Sequence, residues 1–287
     1  MTPEEYGVLG GTAKVTDAAC ERFNTVLASA RTAGPAAPAG AGTAAHREDG
    51  PPVGLLAALA LQAGELLLVR AVGRRGMVAL HGMQKLRLLR RPRTGGELTS
   101  TAAVRSVKAL GAGTATEVVV SFADENGNAV AESTSLLVHS PPLSAPLPSP
   151  APAAAAGDPA RTTAYGITRE LVAAYAAASG DHNPIHLSPE AARSAGFDEV
   201  IAHGMLTFAL AGRHLADRLG EDRIGELQLR FNRPLAVPAA GAELFITDRT
   251  AANGALVLTA TDGAGTPVAT GRAALLPPPT DRGTHRA

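Results

Sequence analysis

A weak internal repeat is the feature that most constrains the fold of this chain. Glu117–Val138 aligns with Ala255–Leu276 without a gap, at an offset of 138 residues. Only six of the 22 aligned positions are identical, but both stretches read as an apolar strand, an Asp/Gly turn and a second Val-Ala strand. Alternating polarity around such a turn predicts a β-hairpin. We therefore expect the chain to contain one supersecondary unit twice.

The repeat extends upstream in both halves. MQKLRLLRRP (Met83–Pro92) resembles LQLRFNRP (Leu227–Pro234), and each precedes a Gly-containing loop and a further strand. Earlier still, each half has a long apolar helix, predicted over 52–70 and 204–219.

Each half also opens with an amphipathic helix, started by Thr16 or by Thr168. A long apolar helix has to bury all its faces, and a curved antiparallel sheet wrapped around it does so. The sequence thus predicts an α+β fold of the double hot-dog type. Two such sheets can join edge to edge, which removes exposed strand edges.

A proline-rich segment separates the two halves. Residues 140–161 hold seven of the chain's 21 prolines. Proline fixes φ and removes a hydrogen-bond donor, so we expect a semi-rigid connector there. This predicts an N-terminal hot-dog domain over 1–139 and a C-terminal one over 162–287.

Composition excludes several classes of protein. The 287 residues carry 26 basic and 26 acidic side chains, which argues against a nucleic-acid or anionic membrane surface. Cys20 is the single cysteine and the first residues lack a signal peptide, so we expect a cytoplasmic protein. The longest apolar stretch, Pro51–Val69, is interrupted by Gln62, Gly64 and Glu65 and indicates a buried helix, not a membrane span.

The segment SGDHNPIH, Ser179 to His186, combines an acid and a histidine in a short loop. The preceding helix is expected to end at Gly180, and Asn183 stands before a proline that favours extended backbone. A hook between two helices can therefore turn Asp181 and His186 inward together.

A second helix start follows closely. In DEVIAHGM, Gly204 is expected at the first turn of the long apolar helix, where backbone N–H groups lack partners within the helix. An acid/base pair beside such a helix end is suited to proton transfer at carbon next to a carbonyl.

The stretch YAAASGDHNPIHLSPEAARSAGFDEVIAHGM (Tyr175–Met205) resembles the signature of MaoC-like dehydratases, the R-specific enoyl-CoA hydratases. The resemblance implies that Asp181 and His186 are catalytic and that Gly204 supplies an oxyanion N–H. Asn183 matches a supporting amide. Ser179 and His203 are weaker supporting candidates, with His203 expected to position or cap the turn.

The first half departs from this pattern. Alignment of its Thr16 with Thr168 places Ser29 at the position of Asp181 and Gly34 at that of His186. Its own His-Gly-Met, His81–Met83, stands too close to the following Arg-Pro to be equivalent, so we expect His81 at a strand start, outside the site. The resemblance implies that this half makes room for a longer acyl chain.

The implied activity is reversible hydration of a trans-2-enoyl thioester to the (R)-3-hydroxyacyl thioester, on CoA or an acyl carrier protein. A tailoring reaction on a polyketide, a hot-dog thioesterase and a non-catalytic acyl-thioester binder remain alternatives. We expect no cofactor. Monomer and homodimer both stay open.

Other reactive side chains have simpler interpretations. A metal site that adds His182 and His203 to Asp181 and His186 fits no usual zinc spacing, so we expect no metal. We expect His182 in solvent, His214 as a satisfied buried histidine and Cys20 in packing. The cations of the 85–91 segment could meet a phosphate, but a solvated face is the favoured interpretation; they are Lys85, Arg87, Arg90 and Arg91.

Overall fold

The protein is described by a computed structural model that covers residues 6–30, 50–72, 77–141, 161–251 and 255–276. The linker predicted over 140–161 lies outside the described residues except at its ends, as does Gly34. Among the described helices, none combines the length and hydropathy needed to cross a bilayer.

Ten antiparallel strands form one continuous sheet. They are β1 (Val8–Lys14), β2 (Val78–Leu88), β3 (Glu97–Leu110), β4 (Gly113–Ala123), β5 (Ala129–Ser140), β6 (Arg161–Ile167), β7 (Ile224–Phe231), β8 (Ala242–Thr250), β9 (Leu256–Asp262) and β10 (Pro267–Leu275). Their order across the sheet is β1-β3-β4-β5-β2-β7-β10-β9-β8-β6.

The sheet joins the two repeats at its centre. Strand β2 pairs with β7 from Met83 opposite Arg230 to Arg87 opposite Glu226. These are the two segments whose sequences resemble each other, and each repeat contributes five strands on its own side of this seam. The predicted edge-to-edge union of two sheets is therefore confirmed.

Five α-helices accompany the sheet: α1 (Asp17–Ser29), α2 (Val53–Val72), α3 (Arg169–Ser179), α4 (Pro189–Ser194) and α5 (Gly204–Leu219). The long helices α2 and α5 pack against each other and against the strands of their own halves. Many of their apolar residues, among them Leu56 and Phe208, are fully buried, and burial of each such side chain contributes about 1.5–3 kcal/mol. The double hot-dog prediction holds.

Two details of the predicted fold are wrong. Each half begins with a strand, β1 or β6, and the Thr-started helix comes second. Both are edge strands, and β1 is largely exposed, so it shows little of the alternation that marks a half-buried strand. Helix α2 does not bury all its faces either, since Leu66 is 62% exposed.

Contacts between the halves fix the second half on the first. The Glu221 carboxylate accepts a hydrogen bond of 2.8 Å from the backbone N–H of Val53, the first residue of α2. Gln62 of α2 donates a hydrogen bond to the carbonyl of Ser179, the last residue of α3. The first half thereby holds the helix that leads into the predicted hook.

Candidate active site

Helix α3 begins after Thr168 and ends at Gly180, as the sequence predicts, and the hook follows directly. The Thr168 hydroxyl accepts from the Leu171 N–H at 3.2 Å and caps the N-terminus. Gly180 ends the helix with a φ of 75°, a left-handed conformation that glycine adopts without a Cβ penalty. The reversal at Gly180 places Asp181 in the cavity wall.

Side chains of the hook hold its backbone. The Asp181 carboxylate accepts from the Asn183 N–H at 3.2 Å, and the Asn183 side-chain oxygen accepts from the Ile185 N–H at 3.4 Å. The buried Ser179 hydroxyl accepts from the Asp181 N–H at 3.3 Å. Asn183 and Ser179 thus act on the loop backbone, and they set where Asp181 and His186 stand.

His186 ends a short 3-10 helix and has a defined tautomer. Its Nδ1 lies 2.7 Å from the carbonyl oxygen of Ile201, so Nδ1 carries the proton and donates it. Burial lowers the pKa of His186, against the opposing effects of the Ile201 bond and the Asp181 charge. The ring is therefore neutral near pH 7 and keeps Nε2 as a proton acceptor.

His203 lies under the pair. It occupies the N-cap position of α5 without a side-chain capping bond, so of the two predicted roles, positioning or capping the turn, side-chain capping is not seen. Its ring points to the hook instead: Nε2 donates to the Asp181 carbonyl at 3.0 Å, and the ring centroid is 3.8 Å from that of His186. Burial and the neighbouring His186 lower the pKa of His203 to about 4.

The three side chains bring their reactive atoms together. A carboxylate oxygen of Asp181 and one ring nitrogen each of His186 and His203 lie within 4.8 Å of one another. One water molecule can bridge two such atoms, because each hydrogen bond spans about 2.7–3.0 Å.

The same three groups are also a possible ligand set for a divalent cation. Each ring keeps one nitrogen for a metal ion or a proton, because His186 Nδ1 bonds to the Ile201 carbonyl and His203 Nε2 bonds to the Asp181 carbonyl.

Gly204 is the first residue of α5 and lines the cavity, as predicted. A Cβ atom there would lie 3.3 Å from the ring of Phe231, closer than most side chains tolerate. Glycine therefore lets this helix end and the Phe231 strand approach each other. The N–H groups of Leu206 and Thr207 bond to the His203 carbonyl. The Gly204 N–H, at the very start of the helix, has no acceptor within the helix and is available to a bound oxygen atom.

A cavity of about 800 Å³ connects the hook with the first half. The hook and the start of α5 line one end. Residues of α2, β2 and β5 from the first half line the other, among them Leu61 and Leu137. Such a volume holds a small-molecule ligand rather than a single water molecule.

Tyr175, His81 and Gln62 line the cavity, although the sequence analysis did not assign them to it. Tyr175 is fully buried beside His203, with ring centroids 5.1 Å apart and a hydroxyl without a hydrogen-bond partner in the described chain. His81 lies inside β2, not at its start, and its ring contacts Phe231. Gln62 reaches the site from α2. Of these three residues, only Tyr175 could have been found from the sequence, because it belongs to the stretch that resembles the family signature.

His182, His214 and Cys20 behave as predicted. His182 is exposed at the cavity mouth. His214 is buried and satisfied, with Nδ1 2.8 Å from the Thr163 hydroxyl and Nε2 2.7 Å from the Asp248 carboxylate. Cys20 packs in the core, and burial raises the pKa of its thiol.

The cation cluster of the first half faces away from the cavity. Lys85 pairs with Glu226 at 3.1 Å and Arg90 with Asp124 at 3.7 Å, while Arg91 donates to a backbone carbonyl and Arg87 is exposed. The described cavity wall includes none of these four side chains. This fits the solvated face that the sequence favours.

Ser29, aligned with Asp181, bonds back to the Val26 carbonyl of its own helix at 2.8 Å.

Comparison with known proteins agrees with this geometry. Residues 152–244 match the family model of the MaoC like domain. The matched residues lie within the second half of the chain and include Asp181, His186 and Gly204. In sequence the chain is similar to 3-hydroxyacyl-thioester dehydratase X of Mycobacterium tuberculosis, 42% identical over 82 residues, which are 29% of this chain and 28% of that relative. The alignment thus spans little more than a quarter of the relative's length.

The fold is shared over almost the whole chain. A solved structure of a MaoC-like dehydratase matches with a TM-score of 0.72 at 20% identity, covering 93% of this chain and 98% of the other. A conserved hypothetical protein of Mycobacterium tuberculosis, described as a double hotdog fold, matches with a TM-score of 0.60 at 15% identity over 94% and 95% of the two chains. The residues that match the family model therefore lie within a double hot-dog fold.

Proposed function

We propose that this protein is a hydro-lyase that reversibly hydrates a trans-2-enoyl thioester to the (R)-3-hydroxyacyl thioester. The proposal rests on one observation: a carboxylate oxygen of Asp181 and a ring nitrogen of His186 lie within 4.8 Å of each other. Both residues line the cavity, as does Gly204 at the N-terminus of α5. The relative with 42% identity is named a 3-hydroxyacyl-thioester dehydratase, which supports this reaction class.

The residues divide the chemistry between them. The thioester carbonyl accepts a hydrogen bond from the Gly204 N–H, which stabilises the enolate-like oxygen. Water held between Asp181 and His186 adds its oxygen to C3, and His186 Nε2 takes the released proton. Asp181 relays this proton from His186 to C2 on the same face, which returns both residues to their starting states. The sum is addition of H and OH, and the reverse sequence is dehydration.

The neutral state of His186 fits this role. Its pKa is lowered chiefly by burial, and its Nδ1 proton is engaged by the Ile201 carbonyl, so Nε2 is the free base. The carrier of the acyl group is CoA or an acyl carrier protein. In this proposal the first half contributes no catalytic side chain and supplies the cavity wall for the acyl chain from α2, β2 and β5.

The test follows the absorbance of the conjugated enoyl thioester with crotonyl-CoA and trans-2-octenoyl-CoA. The wild-type protein is expected to consume the absorbance without releasing free thiol, and D181N to lose at least about 10²-fold in rate. D198N is the matched control, since Asp198 is an exposed acid after α4 that does not line the cavity. Thiol release from a saturated acyl-CoA would instead indicate a thioesterase, and tight binding without turnover a binding protein.

A further inference from the structure

Two histidines of the first half, His81 and His139, line the same cavity as the hook. His139 is 1% exposed, and neither of its ring nitrogens has a hydrogen-bond partner in the described part of the chain. The Nε2 atom of His81 is also buried without a partner. Both residues line the cavity that holds Asp181 and His186. The wall expected to receive a hydrocarbon chain is therefore partly polar.

A third unpaired group stands next to them. In the sheet, Leu137 of β5 lies opposite His81 of β2 on one side and opposite Thr116 of β4 on the other. Directly opposed residues share a face of the sheet, as do residues two apart along a strand. His81, Thr116 and His139 thus surround Leu137 on one face, and the buried Thr116 hydroxyl has no partner among the described residues either.

Buried polar groups farther along the same face are satisfied. Gln84 donates to the Ser133 hydroxyl at 2.7 Å and accepts from the Ser135 hydroxyl at 2.7 Å. An unpaired buried polar group costs about 1–3 kcal/mol of folding stability. This cost favours hydrogen bonds such as those of Gln84 wherever protein atoms are close enough to form them. Of the unpaired groups on this face, the two histidines line the cavity, and Thr116 lies beside them. A ligand in the cavity can supply hydrogen-bond partners to His81 and His139, which line it.

The chemistry of these groups limits what they recognise. Burial lowers the pKa of His81 to about 4 and also lowers that of His139, so both rings are neutral near pH 7. A neutral imidazole offers one N–H donor and one acceptor nitrogen. That combination matches a hydroxyl or a carbonyl oxygen better than a carboxylate or an ammonium group.

The positions of the rings fix which part of an acyl chain they meet. The His81 ring lies 5.2 Å from the ring of Phe231, and Phe231 in turn borders Gly204. His139 is one strand farther from the second half, about 4.8 Å in the direction across the sheet. Moving away from Gly204, a chain would pass Phe231, then His81, then His139.

We propose that the preferred acyl thioester carries a hydroxyl or carbonyl oxygen on its tail, hydrogen-bonded by His139 and His81. The substrate class is thus an oxygenated acyl chain, not a plain hydrocarbon chain. This inference rests on the proposed function, since it assigns the tail of the same substrate.

The test compares trans-2-octenoyl-CoA with its 6-hydroxy, 7-hydroxy and 8-hydroxy derivatives. One position is expected to raise kcat/KM by about tenfold or more over the unsubstituted chain. His139→Leu is expected to reduce this preference to near unity, and His81→Leu to weaken it. Ser133→Ala removes a polar group of the satisfied network on the same strand and should retain the wild-type preference.

A binding measurement separates this inference from the proposed reaction. The dissociation constants of octanoyl-CoA and the matching hydroxyoctanoyl-CoA, measured calorimetrically, need no turnover. Failure to hydrate any enoyl-CoA would overturn the proposed reaction, while tighter binding of the hydroxylated chain, lost in His139→Leu, would still support tail recognition. A wild-type preference for the plain chain, or an equal loss of preference in Ser133→Ala, would overturn the inference.

Discussion

The ring of His203 donates a hydrogen bond of 3.0 Å to the backbone carbonyl of Asp181 and stacks on His186 at 3.8 Å. One side chain thus contacts both members of the proposed acid/base pair. It also precedes Gly204, the proposed oxyanion donor. His203 therefore links the three parts of the site through direct contacts and acts as a positioning residue.

Replacement of His203 should lower turnover more than substrate affinity. His203→Leu removes the bond to the Asp181 carbonyl, and we expect kcat for crotonyl-CoA hydration to fall at least about tenfold with a smaller change in KM. His203→Asn keeps a donor and should recover part of the loss. Steady-state kinetics of the two variants provide the check, and unchanged kcat in His203→Leu would contradict the positioning role.

Gln62 connects helix α2 of the first half to the start of the hook through its hydrogen bond to the Ser179 carbonyl. Gln62→Glu keeps the shape of the side chain but replaces the donor that binds the Ser179 carbonyl with an acceptor. We expect a loss of about 1–3 kcal/mol in the free energy of unfolding and a reduced kcat. Urea denaturation and the hydration assay measure these effects. Glu65→Gln, on the same cavity-facing helix, is the matched control and should change unfolding little; equal effects of both variants would argue against a specific tether.

Stability should fall as the pH drops from about 6.5 to about 4. Burial lowers the pKa of both His81 and His203 to about 4 in the folded state, while the unfolded value is near 6.5. Above pH 6.5 both states are neutral and these groups add no pH dependence. Below it the unfolded chain binds protons first, so the free energy of unfolding decreases until the folded pKa is reached. Denaturation at pH 7.5, 6 and 5 tests this, and His81→Leu should flatten the slope.

Chelation should leave the activity intact. The proposed reaction moves protons between water, His186 and Asp181 and needs no metal ion. Dialysis against EDTA, with a metal assay of the protein before and after, is expected to leave kcat/KM unchanged. Loss of activity that a divalent cation restores would assign Asp181, His186 and His203 to a metal centre instead.

Local sequence signals account for much of the site. The Thr168 cap, the glycine at 180 and the Asn-Pro step are short-range features, and each has the geometry that its residue type favours. The internal repeat likewise predicted two equivalent sheets. The strands that join these sheets, β2 and β7, are the two whose sequences resemble each other.

Contacts between distant residues were not predictable in this way. His81 and Gln62 reach the cavity only because the two halves pack together, and their local sequence resembles an ordinary strand and helix. The direction of the His203 ring depends on the backbone of a loop 22 residues earlier. Edge strand β1 has a largely exposed surface and so lacks an apolar alternation to read.

The most direct test is the kcat/KM for hydration of crotonyl-CoA by the wild-type protein, D181N, H186A and the double variant. If the two residues act as one unit, each single change costs at least about 10²-fold and the double change costs little more than one of them. Near-normal turnover in either single variant, with the fold intact, would contradict the assignment of Asp181 and His186 as the proton-transferring pair.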